Sequence, residues 1–327
     1  MKIIPFFLPE LGCRHSCIYC NQRLITGTGL QIPDIIPQLK AFLCSVAIPA
    51  GEFEFAFYGG TFTALPEELI NGMLGTVTEF FKGTSFRGIR FSTRPDELSE
   101  KILELVFRFP VSTVELGVQS FDDQVLGKIG RGYSAEILPG VVENLRRRRT
   151  RVGVQLMIGL PAETRRTHRL NLSSLKNLNP DFLRIYPLLV LKGTELEDIY
   201  QKGGFTPLSL KQAILSCQPY LELEKITGIR IIRLGLKDEP GLSAGVIAGP
   251  HHPSFGELCR THYFLRRIQR FLRKKVGGTF IVNPADIQYF LGYRRSNYLT
   301  IFHNYNFQLQ YIADMKQPRG ILKLHTH

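Results

Sequence analysis

Cys13-Arg14-His15-Ser16-Cys17-Ile18-Tyr19-Cys20 places three of the chain's six cysteines within eight positions, directly after an apolar run at 2–7 (KIIPFF) that reads as a β-strand. Six cysteines in 327 residues are too few for a disulfide framework, and clustering of this kind points to metal or redox chemistry. Thiolates hold iron–sulfur clusters, and this spacing supplies three ligands, one fewer than a closed four-iron cluster needs. An iron left without a protein ligand can chelate a substrate, just as an open position distinguishes a catalytic zinc from a structural one. A zinc site completed by His15 or a distant histidine is the alternative the same residues allow. Tyr19 between the second and third cysteines, and the position just after the first strand, favour the open cluster. Cys44, Cys217 and Cys259 are scattered and are expected as buried small hydrophobes.

Outward from that loop, short β-rich runs alternate with amphipathic helical stretches, the pattern of a parallel sheet built from strand–helix units. Strands are expected at 2–7, 53–58, 88–92, 113–118, 152–158 and 182–187, with a seventh candidate at 229–234. Helices are expected near 34–46, 66–82, 96–107, 134–149, 164–177 and 208–224. About six such units form a complete or partial barrel or an open doubly wound sheet, and periodicity does not choose between them. Gly59 and Gly60 end the second strand, where paired glycines let a ligand approach the backbone. Glu115 and Gln119 share one strand face with Gly117 between them, and polar groups facing a barrel interior need partners, which favours a ligand-facing role.

No apolar run approaches the ~20 residues of a membrane span, and Pro5, Pro9 and Glu10 interrupt the N-terminal stretch before any cleavage pattern. A cytoplasmic protein with no membrane partner is expected. The net charge is +13, and residues 260–327 carry twelve Lys/Arg against Asp286 and Asp314, or +10 of that total. A nearly neutral body followed by a basic appendage points to a polyanion, although basic tails also serve as solvated surface. The Arg146 to Arg149 run ends a helix and reads as solvated surface. The Pro- and Gly-rich stretch from Glu239 to Pro253 is the candidate linker. Beyond it the pattern reads helix 256–275, strand 279–282, helix 284–291, a turn at 292–295, helix 296–304 and a strand near 306–312.

The cysteine octet resembles the signature of the radical S-adenosylmethionine (SAM) enzymes. That resemblance implies a [4Fe-4S] cluster held by Cys13, Cys17 and Cys20, SAM bound at the open iron, and a 5'-deoxyadenosyl radical made by one-electron reduction. It also implies an electron donor such as ferredoxin or flavodoxin. Gly59-Gly60-Thr61 resembles the family's glycine-rich motif for the methionine amino group, with Thr61 in place of the more usual acid, and Gly159-Leu160-Pro161 resembles its adenine-side turn. Longer stretches resemble the branch of the Elongator catalytic subunit and its bacterial and archaeal relatives. They are Gly59 to Phe62 with Ala64 to Glu68, Thr93-Arg94-Pro95-Asp96, Glu115 to Ser120, Arg131-Gly132, and Leu183 to Pro187 leading to Lys192-Gly193-Thr194.

On that resemblance Gly59, Gly60, Thr61, Thr93, Arg94, Glu115, Gln119, Arg131 and Gly159 are candidate cofactor contacts, and Tyr186 is the candidate catalytic residue. The expected fold is α/β: a partial (β/α)6 barrel of the TIM type over 1–250, then a small basic α+β module over 251–327. Elongator's acetyltransferase domain has no counterpart in these 327 residues, so the resemblance carries the radical core, with tRNA as a suggested substrate. The segment from Ile281 to Asn297 resembles the centre of a KH module, with Arg295 where the second glycine of the Gly-x-x-Gly loop stands. Candidate RNA contacts are Arg266, Arg267, Arg270, Arg273, Lys274, Lys275, Arg294 and Arg295. The alternatives are a radical enzyme acting on a small metabolite, as in the looser resemblance to oxygen-independent coproporphyrinogen oxidase, and a non-catalytic RNA-binding protein with a structural metal site.

Overall fold

All six expected strands form, and the seventh candidate joins them in one parallel sheet. The computed structural model describes residues 2–13, 17–22, 24, 31–236, 240–274 and 278–325. The strands are β1 (Lys2–Phe7), β2 (Phe53–Tyr58), β3 (Phe86–Thr93), β4 (Val111–Gln119), β5 (Arg151–Ile158), β6 (Phe182–Pro187), the short β7 (Val190–Leu191) and β8 (Arg230–Leu234). The sheet order is β1-β2-β3-β4-β5-β6-β8, every pairing is parallel, and β1 and β8 are its two edges. Strands that neighbour in both sequence and space while running parallel need a crossover each time. The helices α1 (Ile35–Ser45), α2 (Glu67–Phe80), α3 (Glu100–Val106), α4 (Asp123–Lys128), α5 (Leu138–Arg147), α6 (Arg165–Leu178), α7 (Glu195–Gln201) and α8 (Leu210–Thr227) supply them. The result is a curled, partial barrel of parallel strands, extended by one strand beyond six.

Local chemistry sets the helix ends. Thr164 with Thr167 and Ser209 with Gln212 form capping boxes that start α6 and α8, and Gly228 at φ +78° stops α8. Expected helix 96–107 shortens to α3 because Pro95-Asp96-Glu97 makes a 3-10 turn and Ser99 then caps the helix proper. The helix expected from 134 begins at Leu138, after a 3-10 turn and with Pro139 in its first turn. The short α4 was not anticipated. Cys217 and Cys259 are fully buried as expected, but Cys44 is exposed: α1 buries Ile35, Leu39 and Leu43, and Cys44 falls one position off that stripe.

Alternation along the strands separates an apolar outer face from a polar interior. Outside, Phe57, Phe62 and Phe91 stack with centroids 5.0 and 4.8 Å apart. Inside, Arg90 donates to Glu54 Oε2 (2.9 and 2.5 Å) and to Glu115 Oε1 (2.8 Å), and Arg184 Nε lies 2.7 Å from Glu115 Oε2. Ser112 and Thr113 each donate to Glu54 at 2.7 Å. Burial alone would push Glu54 up, but Thr113, Arg90 and Ser112 hold its carboxyl below the ordinary value.

The Pro- and Gly-rich stretch expected as a linker is structured where it is described. It carries α9 (Pro240–Gly245) and β9 (Val246–Ala248), which pairs antiparallel with β7; Glu239 lies outside the described residues. After it come α10 (Phe255–Arg273), β10 (Thr279–Val282), α11 (Ile287–Leu291), α12 (Ser296–Tyr305), β11 (Tyr311–Ala313) and β12 (Lys323–His325), with β10 central in a three-stranded sheet. The strand expected from 306 is confined to β11, because Asn306 turns to φ +47° and ends α12 there. Phe280, Phe290 and Ile301 of this module belong to the same continuous core as Ile4 and Leu116 of the barrel. Among the described residues no helix is long and apolar enough to cross a membrane.

Candidate active site

The loop after β1 carries Cys13, Cys17 and Cys20, and its two ends are tied together. Gln22 N donates to Glu10 Oε1 (3.0 Å), Glu10 N donates to Gln22 Oε1 (2.9 Å), and the same Gln22 oxygen accepts from Gly60 N (2.6 Å). Thr61 N donates to Leu11 O at 2.8 Å. This clasp pins the cysteine loop to the end of β2. It was not read in the sequence, since a reciprocal side-chain-to-backbone pair twelve residues apart obeys no short motif. Arg14, His15 and Ser16 lie outside the described residues.

Gly59 and Gly60 border the cavity at the strand ends, as expected of a pair that a ligand approaches, while the side of Gly60 where a Cβ would stand is filled by backbone. Its φ is +58°, and a Cβ there would strike Leu11 O and lie 2.8 Å from Leu8 O. Gly60→Val is therefore expected to displace the cysteine loop itself. Reconstituted protein should lose iron and SAM binding together, measured by iron content and equilibrium dialysis; retention of a full cluster with only SAM affinity reduced would show that the glycine serves the ligand alone.

Two buried cations flank the thiols. Arg131 Nη1 donates to Cys17 Sγ at 3.4 Å and its Nη2 donates to Gly117 O, while Arg94 grips Asp96 at 2.9 and 2.7 Å and donates to Arg131 O. Tyr133 lies under both guanidinium groups, 5.6 and 5.5 Å from its ring centroid. Arg94 Nη1 and Arg131 Nε are buried without a partner among the described residues, so this wall has donors to spare for an anion. Burial, then the neighbouring Cys17, Cys13 and Glu10, pushes Cys20 up to about 12. Burial also raises Cys13, against a 3.3 Å contact between its Sγ and Thr61 Oγ1. Crowded thiolates are disfavoured unless a cationic centre joins them, which is what iron supplies. Thiols that bind different irons need not converge on one ion, and among the described residues no three His, Cys, Asp or Glu do. The donor set, the cationic wall and the clasped loop thus fit a cluster.

These groups open on a cavity of about 1220 Å³ at the C-terminal ends of the strands, where a barrel of this kind carries its ligands. Thr61, Thr93, Arg94, Gln119 and Arg131 line it, and so does Tyr186, whose hydroxyl is held protonated because burial raises its pKa. Gln119 reaches the cavity at φ +68°, where the β4–β5 register shifts. Two expected cofactor contacts stand elsewhere. Glu115 lies beneath the cavity, and its carboxylate is already taken by Arg90, Arg184, Tyr58 (3.0 Å) and Gln155 (3.0 Å). Gly159 is not on the cavity wall; its N–H donates to Glu163 at 3.1 Å in a turn packed on Leu208. Arg184 and Arg233, which do line the cavity, were not singled out as site residues.

On the C-terminal module, Arg266, Arg270, Arg273, Lys274, Arg294 and Arg295 are exposed. Arg267 is instead half-buried against α8, donating to Tyr263 Oη (3.0 Å) and to Glu222 Oε2 (3.4 Å), so it is not available to RNA. Lys275 lies outside the described residues.

The chain matches the Radical SAM superfamily model over residues 9–170 and the Radical_SAM C-terminal domain model over 180–265. It is 27% identical over 223 residues to an uncharacterized protein of Methanocaldococcus jannaschii, covering 66% of this chain and 65% of that one. It is 33% identical over 125 residues to the tRNA uridine(34) acetyltransferase of Methanocaldococcus infernus, 37% of this chain and 23% of the relative. Among solved structures, the Methanocaldococcus infernus Elp3 with an N-terminal deletion superposes with a TM-score of 0.62 at 22% identity, over 84% of this chain and 63% of that one. The chain spans less than two thirds of the length of each of these. With the three-cysteine loop, the curled parallel sheet and both models in agreement, the chain belongs to the radical SAM superfamily, whose members bind a [4Fe-4S] cluster and SAM.

Proposed function

We propose that this protein is a radical SAM enzyme acting on RNA, and on tRNA in particular. The single observation that carries the chemistry is the cysteine loop clasped over a cavity walled by Arg94 and Arg131. Cys13, Cys17 and Cys20 would hold the cluster. When bound, cluster and SAM would supply one-electron, hydrogen-abstracting chemistry. Arg131 steadies the Cys17 sulfur, the unpartnered Arg94 Nη1 and Arg131 Nε offer donors to an anionic ligand group, and Gln119 presents an amide. Tyr186, protonated and lining the cavity, would contact substrate. The electron comes from a small redox protein of the ferredoxin or flavodoxin kind.

The RNA reading draws support from the net charge of +13, from the exposed cations on α10 and the 292–295 turn, and from a relative named for tRNA uridine(34). The test is mass spectrometry of nucleosides from cells with and without the protein. A modified nucleoside missing from tRNA in the deletion strain, together with tRNA that co-purifies and is released as salt rises, is the expected result. An unchanged nucleoside profile with no bound RNA would move the substrate to a small metabolite.

A further inference from the structure

We infer that the turn at 292–295 and the first two turns of α12 form a platform for unpaired RNA nucleotides, with bases stacked on Tyr293 and Phe302 and phosphates held by Arg294 and Arg295. The inference rests on the RNA reading above and deepens it, from a basic surface to a site with a preference for single strands.

Three observations converge on this edge. Its aromatic rings face water: Tyr293 is 68% exposed and Phe302 45%, although nothing in folding favours leaving such area wet. The rings are also arranged as stacking surfaces. Tyr298 and Phe302, one helical turn apart, lie parallel within 1° at a centroid distance of 6.5 Å, and the Arg294 guanidinium sits 5.2 Å over the Tyr293 ring. Finally, the backbone that presents the arginines is strained and braced. Arg294 (φ 48°, ψ 36°) and Arg295 (φ 60°, ψ 30°) are consecutive left-handed non-glycine residues, just after Gly292 and Tyr293, with Gly292 at φ +77°. Such a conformation persists only where the surroundings over-determine it, and Asn297 does that. Its buried amide donates to Thr261 O and Tyr289 O at 3.0 Å and to Phe290 O at 3.2 Å, tying the turn to α10 and α11. Among the described residues neither arginine has a carboxylate partner.

These surfaces define the chemistry of the partner. Planar apolar surface beside uncompensated guanidinium groups suits a ligand that offers flat π-faces and anionic oxygens at regular spacing, which is a nucleic-acid strand. In an A-form duplex the base faces are buried in the stack, so only unpaired nucleotides can use the rings. The exposed Arg266, Arg270, Arg273 and Lys274 lie further along α10, the helix to which Asn297 anchors the turn, and would extend the phosphate track.

The test uses the full chain and fluorescence anisotropy at fixed ionic strength, with a labelled oligouridylate of about twelve nucleotides, a duplex of the same length, and tRNA. The single strand should bind more tightly than the duplex. Tyr293→Ala and Phe302→Ala should each weaken oligouridylate about tenfold, the scale of one lost base stack, with the salt slope unchanged and Tyr293→Phe retaining parental affinity. Arg294→Gln and Arg295→Gln should each shallow the log–log salt slope by about 0.7. If the aromatic variants bind oligouridylate as the parent does, or the duplex binds better, the platform is wrong while salt-dependent tRNA binding keeps the RNA reading. If the parent binds none of the three, the RNA reading itself has failed. Displacement of oligouridylate by polyglutamate at equal charge concentration would also overturn the platform, in favour of an acidic protein partner.

Discussion

Cys17→Ala protein, reconstituted anaerobically with iron and sulfide, is expected to lose the reducible four-iron signal and all cleavage of SAM. Cys13, Cys17 and Cys20 would each bind a different iron, so no neighbour substitutes for a missing thiolate. Cys17 is also the sulfur that Arg131 reaches, at 3.4 Å, so its loss leaves a buried guanidinium without that acceptor. Cys44→Ala and Cys217→Ala serve as comparisons, because Cys44 lies exposed on α1 and Cys217 is buried between α8 and α10, and both should keep the parental cluster content. Electron paramagnetic resonance of the reduced protein and chromatographic detection of 5'-deoxyadenosine read the two outcomes separately. A Cys17→Ala protein that keeps a reducible cluster and makes 5'-deoxyadenosine would falsify the ligand assignment.

The second large effect falls on stability, deep under the site. Arg90→Met should cost about 3–5 kcal/mol of unfolding free energy, because Glu54 and Glu115 would remain buried without the cation they share. The pH dependence gives the sign a separate check. In the parent, the Glu54 carboxyl is held below its unfolded value, so its contribution is present above the ordinary carboxylate range and is lost as pH falls through the lowered folded value. In Arg90→Met the same carboxyl keeps the Thr113 and Ser112 hydrogen bonds but loses its cation, so its folded pKa is expected to rise relative to the parent. The variant should then lose less stability on acidification than the parent does. Urea midpoints from pH 8 down to about pH 3, below the ordinary Glu value of about 4.3, measure both curves. Parallel curves, or a loss below about 1 kcal/mol, would mean that the network is solvated and contributes little.

That network shows why part of the site was legible and part was not. The three cysteines could be read because metal ligation needs particular side chains at close spacing, a one-dimensional requirement that survives without the fold. Gln119 and Arg131 stand on the cavity wall because they lie at and beyond the end of β4, a position that strand periodicity already marks. Glu115 does not, because the same alternation that turns it inward also turns Arg90 of β3 and Arg184 of β6 inward, and they consume its oxygens before any ligand arrives. Arg267 misled for a similar reason: a cation on a basic helix reads as solvated until Glu222 and Tyr263 are found beside it.

The amino-acid sequence by itself determined the order of strands and crossovers, the three-cysteine loop after the first strand and the basic C-terminal surface, all of which depend on local periodicity, residue type or charge count. The tertiary structure alone decided that the sheet extends to a seventh strand, that Gly60 packs against the Leu8 and Leu11 backbone while bordering the cavity, and that Glu10 and Gln22 clasp the cysteine loop. Those features are pairings between residues far apart in the chain, and whether a polar group is spent on a neighbour or free for a ligand is settled only when the neighbour is in place.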